Sequence, residues 1–317
     1  MAERTTERST GPTDPAAFEQ GAELVERVVD WFRAEARDLP WRRPDASPWA
    51  VMVSEFMLQQ TPVVRVLPVY EAWLARWPTP AALAAEPVGE AVRAWGRLGY
   101  PRRAQRLHAA ATAVEEAFDG VVPDTYEDLC ALPGVGEYTA GAIASFAYKK
   151  RHIVLDTNVR RVLARAVTGT EFPASATTPA DRRIATALLP TQAADAAEWA
   201  AASMELGAVV CTARAPRCDA CPVAKLCRWV TDGKPAYDGP PRRGQTYEGT
   251  DRQARGRLLA VLRDTHGPVP RAELETAWTR DVQQRERALA SLVSDGLVME
   301  IKSEGDGEMG EMFALAH

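Results

Sequence analysis

Residues 211–227 read Cys211-Thr212-Ala213-Arg214-Ala215-Pro216-Arg217-Cys218-Asp219-Ala220-Cys221-Pro222-Val223-Ala224-Lys225-Leu226-Cys227, four cysteines in the pattern C-x6-C-x2-C-x5-C. The stretch is too compact to be a domain, so metal or disulfide chemistry must account for the crowding. The chain opens MAERTTERSTGPTDP, which is polar and lacks the apolar core of a secretory signal. A reducing cytoplasm is therefore expected, and it disfavours disulfides. Structural zinc usually takes two C-x2-C knuckles, and only one such pair is present. A cubane iron–sulfur cluster also takes four thiolates and tolerates uneven spacing. Ligand type alone separates the two weakly; the spacing favours the cluster and leaves zinc open. The fifth cysteine, Cys130, lies in an apolar helical stretch and reads as a small buried hydrophobe.

With 317 residues there is room for two domains and a small third. A hydrophobic share of 46% and a charged share of 26% are ordinary for a globular chain, so composition excludes neither enzyme nor binding module. No apolar run reaches the length of a membrane span, and no membrane partner is expected. The net charge of −5 offers no argument for nucleic acid. Net charge averages over the molecule, however, and a local basic face can still meet phosphate. Pro101-Arg102-Arg103-Ala104-Gln105-Arg106 and Arg160-Arg161 are candidates, with a solvated helix face as the plain alternative.

Outward from the cysteines, the pattern is helical from about Ala22 to Trp229. Apolar residues recur at i, i+3, i+4 spacing in Leu24–Ala36, Ser54–Trp77, Val88–Leu98, Arg103–Phe118 and Ala180–Leu189. Residues 1–20, rich in Ser, Thr, Pro and charge, read as a disordered tail. Residues 231–246 read as a linker from their Gly and Pro content. Three short helices follow, about Asp251–Arg263, Arg271–Trp278 and Val282–Ser294, then two strand-like runs, Leu297–Ile301 and Glu311–Leu315. That order suggests a winged-helix-like α+β domain over 247–317, carrying Arg285 and Arg287 on its third helix.

Between two predicted helices sits Leu132-Pro133-Gly134-Val135-Gly136. Thr125-x-x-Asp128 opens the first helix like a capping box, and Glu137 begins the second. Two glycines one residue apart let the chain turn tightly and aim amide N–H groups at an anion. An ordinary helix–helix turn is the alternative, but the Leu-Pro bracket and the small residues behind the turn favour phosphate binding. Eighteen residues beyond Tyr138, Asp156 precedes a helix in Leu155-Asp156-Thr157-Asn158-Val159. Its plain role is an N-cap, in which the carboxylate stays ionised and can face a developing cation. Glu55 lies among apolar residues in Ser54-Glu55-Phe56-Met57-Leu58-Gln59-Gln60-Thr61. Burial there would raise its pKa and suit a general acid; otherwise it is a surface glutamate.

The hairpin LPGVG, the aspartate of LDTNV and the four-cysteine loop, in that order, resemble the helix–hairpin–helix DNA glycosylases that carry an iron–sulfur cluster. The resemblance covers about residues 24–229. Within that superfamily, Asp38-Leu39-Pro40-Trp41-Arg42 and the run from Ser54 to Val63 look like the MutY-type adenine DNA glycosylases. The resemblance implies a mainly α fold. A six-helix barrel would span about 46–150, and a cluster subdomain would be built from 21–45 and 151–230. Cys211, Cys218, Cys221 and Cys227 would ligate one [4Fe-4S] cluster.

Members that also cut the strand carry a hairpin lysine where this chain has Tyr138, so the amine for a Schiff base is missing and a monofunctional glycosylase follows. The implied substrate is double-stranded DNA with adenine opposite 8-oxoguanine or guanine, handled by a cytoplasmic, nucleoid-associated monomer. Glu55 would protonate the flipped adenine at N7 and Asp156 would stabilise the oxocarbenium-like sugar. Asn158 would orient the reacting nucleotide and water. Trp41 and Arg42 would line the base pocket, with Leu58 and Tyr138 nearby. Gln60 would wedge into the duplex, and Gly134 and Gly136 would hold a phosphate. Arg214 and Arg217 would make the cluster loop a basic knob.

A thymine or uracil mismatch glycosylase of the same fold is the alternative reading. Three departures stand out. The usual tyrosine pair is Tyr100-Pro101 here. The acid or amide that contacts adenine from the helix before the cluster aligns with Ala201. The usual C-terminal lesion-reading domain, which resembles a nucleotide-diphosphate hydrolase, has no room.

Overall fold

The computed structural model describes residues 15–240, 247–301 and 311–317. Most of the expected tail (1–14), part of the linker (241–246) and the loop 302–310 lie outside the described residues. In chain order the helices are α1 (Pro15–Glu35), α2 (Pro48–Leu58), α3 (Val63–Arg76), α4 (Pro80–Ala84), α5 (Val88–Trp95), α6 (Arg102–Phe118), α7 (Tyr126–Ala131) and α8 (Glu137–Phe146). Then come α9 (Thr157–Leu163), α10 (Pro179–Ala187), α11 (Ala193–Val209), α12 (Arg228–Thr231), α13 (Asp251–Asp264), α14 (Arg271–Ala277) and α15 (Val282–Ser294). Strands β1 (Val269–Pro270), β2 (Val298–Ile301) and β3 (Met312–Leu315) form one antiparallel sheet in the order β1-β3-β2. The fold is mainly α, with a small α+β module at the C-terminal end.

Two expectations are corrected. Helix α1 begins at Pro15, inside the stretch read as a tail; proline at a first helical position gives up an amide that has no partner there anyway. The single helix expected over 54–77 is two, α2 and α3, parted at Gln59–Pro62. Gln60 turns into the left-handed region there (φ 55°) and Pro62 caps α3. Buried Arg103 makes the break tolerable: its Nη1 donates to the carbonyls of Phe56 (2.8 Å), Met57 (3.0 Å) and Gln59 (2.6 Å). These are the orphan acceptors a helix leaves at its C-terminal end.

The chain divides into two compact units. The first joins Met1–Ala46 to Ala140–Pro240, and the second joins Ser47–Thr139 to Pro241–His317. In the first, α1, α9 and α11 share a core of Leu24, Val28, Val159, Val162, Trp199 and Leu206, extended under the cysteine loop by Val223 and Trp229. In the second, Trp73 packs edge-on against both Trp77 and Trp95 (ring centres 4.6 and 5.7 Å), and Met52, Phe56 and Leu107 are fully buried. The C-terminal module, read from sequence as a domain of its own, groups with Ser47–Thr139 in this second unit. Cys130, expected to be buried, is half-buried in α7.

Candidate active site

In the second unit, Ser47 caps α2 by accepting from the Ala50 amide, with Pro48 at the first helical position. The helix is apolar nearly throughout, and this buries Glu55 (5% exposed) among Met52, Val53 and Phe56. Leu58 is half-buried at its end, and Gln60 is exposed at the left-handed turn that follows. The hairpin lies between α7 and α8. Thr125 accepts from the Asp128 amide and its hydroxyl donates to the Asp128 carboxylate (2.6 Å), so this cap is not the reciprocal box that the sequence suggests. Gly134 has φ 78°, and a side chain there would strike the Arg106 Cβ at 2.7 Å. Gly136 differs: a Cβ would meet no atom within 4 Å, so packing does not require glycine and the exposed backbone is open to a ligand. Tyr138 is half-buried on the first turn of α8.

The first unit gathers more of the expected residues. Asp156 caps α9, Oδ1 accepting from the Val159 amide (2.6 Å) and Oδ2 from Asn158 Nδ2 (2.7 Å). Asn158 Oδ1 accepts from Arg161 Nη2 (2.9 Å). The same guanidinium donates to the carbonyls of Gly207 (2.7 Å) and Cys211 (2.7 Å). A hydrogen-bonded chain thus links Asp156 to the first cysteine. Burial raises the Asp156 carboxyl above its ordinary value; the Val159 amide, Asn158 and the Arg161 charge pull it back down. The cap expected to hold the group comfortably ionised only partly offsets its desolvation. Gly207 lets α11 lie on α9, since a Cβ there would sit 2.7 Å from Asn158 Cβ.

Trp41 is buried in the 3-10 turn Pro40–Arg42. Arg42 donates through Nη2 to Glu205 (2.9 Å), while Arg37 grips the same carboxylate through Nε (2.6 Å) and Nη2 (2.7 Å). Despite its burial, these two arginines hold the Glu205 carboxyl down to about 2. Arg42 Nη1 is buried with no hydrogen-bond partner. Glu205 is a residue that the sequence reading missed: it lies on α11, one turn beyond Ala201, and is buried on Arg37 and Arg42. The available signal was a glutamate inside the apolar run Ser203-Met204-Glu205-Leu206-Gly207.

Cys211, Cys218, Cys221 and Cys227 line one small pocket with Arg165, Val210 and Trp229. All four are free thiols. Among the described residues, no three His, Cys, Asp or Glu side chains are grouped closely enough to hold a single ion. Four thiols around one pocket fit a four-thiolate metal site. Burial first, and the neighbouring thiols after it, push the Cys221 thiol up to about 12. Burial raises the Cys227 thiol as well, and buried sulfurs like these two become thiolates only against strong positive charge, which bound iron would supply. Arg165, 1% exposed, donates to Cys211 Sγ (3.4 Å) and to the Thr212 carbonyl (2.8 Å), with its guanidinium 4.7 Å over the Trp229 ring.

A hairpin between helices, a capped aspartate and a four-thiol loop together define a base-excision DNA glycosylase that carries an iron–sulfur cluster. Residues 53–182 match the HhH-GPD superfamily base excision DNA repair proteins, and 211–227 match the iron–sulfur binding domain of endonuclease III. The adenine DNA glycosylase of Mycobacterium tuberculosis is 56% identical over 271 residues, 86% of this chain and 88% of that one. That of Mycolicibacterium smegmatis is 52% identical over 289 residues, 89% of this chain and 97% of that one, a match too long to stop at the cysteine loop. Among solved structures, a thermostable thymine-DNA glycosylase superposes with a TM-score of 0.63 at 25% identity, covering 68% of this chain and 99% of that one. An endonuclease III–DNA complex gives 0.58 at 21% identity, covering 68% and 97%, and shares the fold. The chain belongs to the adenine DNA glycosylases, enzymes of base excision repair. Among the described residues no helix is long and apolar enough to cross a membrane.

Proposed function

We propose that the protein, a cytoplasmic, nucleoid-associated monomer, excises adenine paired with 8-oxoguanine or guanine in double-stranded DNA. The observation that carries this reading is Asp156, a carboxylate fixed by two short hydrogen bonds in a place that desolvates it. A buried anion only partly compensated by hydrogen bonds gains most when a positive charge forms beside it. An oxocarbenium-like sugar is such a charge.

The adenine leaves the stack, since its glycosidic bond is out of reach inside the duplex. Glu55 delivers a proton to N7, the C1′–N9 bond breaks with its electron pair going to the base, and Asp156 stabilises the cationic sugar. Water then adds at C1′ and gives up a proton to solvent, leaving free adenine and an abasic site. Asn158 keeps Asp156 in place and helps orient the nucleotide and water. Trp41 and Arg42 line the base pocket, and Arg42 Nη1 is a donor with no hydrogen-bond partner in the protein. Leu58 and Tyr138 pack nearby, and Tyr138 offers no amine for a covalent sugar adduct, so the strand is left uncut. Gln60, exposed at a left-handed turn, wedges beside the orphaned partner base. The amides at Gly134 and Gly136 hold a backbone phosphate. The four cysteines hold one [4Fe-4S] cluster, which braces the loop and takes no part in bond cleavage.

The test is single-turnover base release from duplexes holding A opposite 8-oxoguanine, A opposite G, T opposite G or U opposite G, with alkali revealing abasic sites. Release of adenine from the first two is expected. Glu55→Gln should abolish release and keep duplex binding; full activity in that variant would overturn the acid assignment.

A further inference from the structure

The guanidinium of Arg103, the second residue of α6, joins two turns that are far apart in the chain. Beyond the carbonyls of Phe56 and Met57, its Nη1 donates to the Gln59 carbonyl (2.6 Å) and its Nη2 to Thr61 Oγ1 (2.9 Å). Both residues that flank Gln60 are therefore tied to one side chain. From the other turn, the Gly99 carbonyl accepts from Arg103 Nη2 (3.0 Å) and from Trp95 Nε1 (3.0 Å). The Thr61 hydroxyl completes the arrangement, 3.2 Å from the Gln59 carbonyl and 3.4 Å from that of Leu98.

Each turn holds a non-glycine residue in the left-handed region, Gln60 at φ 55° and Tyr100 at φ 48°. Side chains adopt that backbone where their surroundings impose it. Gln60 is exposed, so packing around its own side chain does not supply the constraint; the bonds on either side of it do. Arg103 itself is 5% exposed, and among the described residues none of its hydrogen bonds goes to a carboxylate. Its Nε has no partner. Burial lowers the guanidinium to about 10, which leaves it charged at neutral pH. A buried cation without an acid beside it is costly. Satisfying the end of α2 does not by itself demand one, since a glycine cap or water serves other helices. What a guanidinium adds is a planar fork that reaches acceptors on two segments at once. The rings of Trp95 and Tyr100, 5.2 and 5.7 Å away, pack against it.

We propose that Arg103 is the positioning residue of the wedge: by joining the Gln60 turn to the Gly99–Tyr100 turn, it fixes where Gln60 enters the duplex. The proposal deepens, and rests on, the reading of Gln60 as the residue that wedges beside the partner base. Buried Arg103 touches no DNA in this role. It acts on base release through the place it gives Gln60.

The test is a double-mutant cycle on the full-length holoprotein with Arg103→Lys, Gln60→Ala and the two combined. Single-turnover release of adenine opposite 8-oxoguanine is measured below the thermal midpoint of every variant. The fluorescence of 2-aminopurine placed next to the partner base reports unstacking in parallel. Lysine keeps the charge and loses the fork, so Arg103→Lys should slow release by about 10–100-fold. It should also remove the unstacking signal, as Gln60→Ala does. In the Gln60→Ala background the same substitution should cost no more than about twofold, because the residue it positions is gone. Equal factors in the two backgrounds would overturn the proposal and leave the wedge reading standing, since a purely structural arginine slows both alike. A Gln60→Ala protein as fast as wild type would sink the wedge reading, and the proposal with it. If wild type releases no adenine, the activity reading fails and the unstacking comparison alone decides the proposal. Should Arg103→Lys not fold, Thr61→Val removes one acceptor beside Gln60 with little change of shape. The same cycle is then read there: coupling to Gln60→Ala supports the proposal, and additivity overturns it.

Discussion

Glu205→Gln is the substitution whose consequence can be worked through most fully. The carboxylate has no side-chain exposure and accepts from Arg37 at 2.6 and 2.7 Å and from Arg42 at 2.9 Å. Those bonds depress its pKa from 4.5 to about 2. A gap of that size is worth about 3 kcal/mol of folded-state stability at neutral pH. Because the folded pKa lies below the unfolded one, the contribution is present in full above about pH 4.5 and is lost as pH falls towards 2. A neutral amide cannot match two guanidinium groups, and its NH2 would face their donors. Arg42 already has one buried nitrogen without a partner, and the substitution weakens the bond of the other.

Glu205→Gln should therefore cost about 3 kcal/mol in urea unfolding of the holoprotein at pH 7, within the range for breaking a buried pair. The gap from wild type should narrow by about 1 kcal/mol at pH 4. Base release should slow as well, because Arg42 loses the anchor that aims it. A variant within about 1 kcal/mol of wild type at pH 7, or a gap indifferent to pH, would refute the reasoning and make this ion pair a surface-type contact of little weight.

Two further outcomes are expected. Asp156 carries a carboxyl raised above its ordinary 3.8 by burial, so the acid limb of the single-turnover pH profile should begin at a higher pH than for a free aspartate; Asp156→Asn should slow release by ~100-fold or more and remove that limb. Gly207→Ala would set a methyl 2.7 Å from Asn158 Cβ, which should lower stability by about 1–3 kcal/mol and slow base release, read by thermal unfolding beside single-turnover kinetics.

What could be read from sequence was local. The cysteine spacing, the aspartate before a helix and the glycine pair between helices each carry their meaning within a few residues, and the structure puts all three at helix ends or turns. The ends of α13, α14 and α15 could be read within a residue or two for the same reason. What stayed hidden depends on partners far along the chain. Glu205 and Arg37 are 168 residues apart, so no window contains both. The break between α2 and α3 carried a sign, Pro62, but Arg103, which satisfies the freed carbonyls, is over forty residues away. Strand β1 is two residues long and pairs Val269 with Phe313, leaving no alternation to detect. That α15 is self-neutralised was also out of reach: Arg285 and Arg287 looked like free cations until α14 and the start of α13 brought Glu275 and Asp251 beside them.

The hydrogen-bond chain in the first unit bears on why a glycosylase whose chemistry needs no electron transfer would keep an iron–sulfur loop. Arg161 donates both to the carbonyl of Cys211 and to Asn158, and Asn158 donates to Asp156. Asn158 has one carbonyl oxygen and one amide group, and both are used, so the orientation of its side chain is fixed from two sides. If the loop moves, Arg161 loses the Cys211 acceptor, and a buried guanidinium short of acceptors draws on the others it holds. The first of these is Asn158. Loss of the cluster would then reach Asp156 through two side chains without any iron atom approaching the sugar. Arg165, bonded to the Cys211 sulfur and to the Thr212 carbonyl and packed on Trp229, fixes the other side of the same residue. Cys211 is thus both the first thiol of the loop and the last acceptor of the network behind the proposed catalytic carboxylate. In that position a structural cofactor would govern the proposed step by holding an anion still.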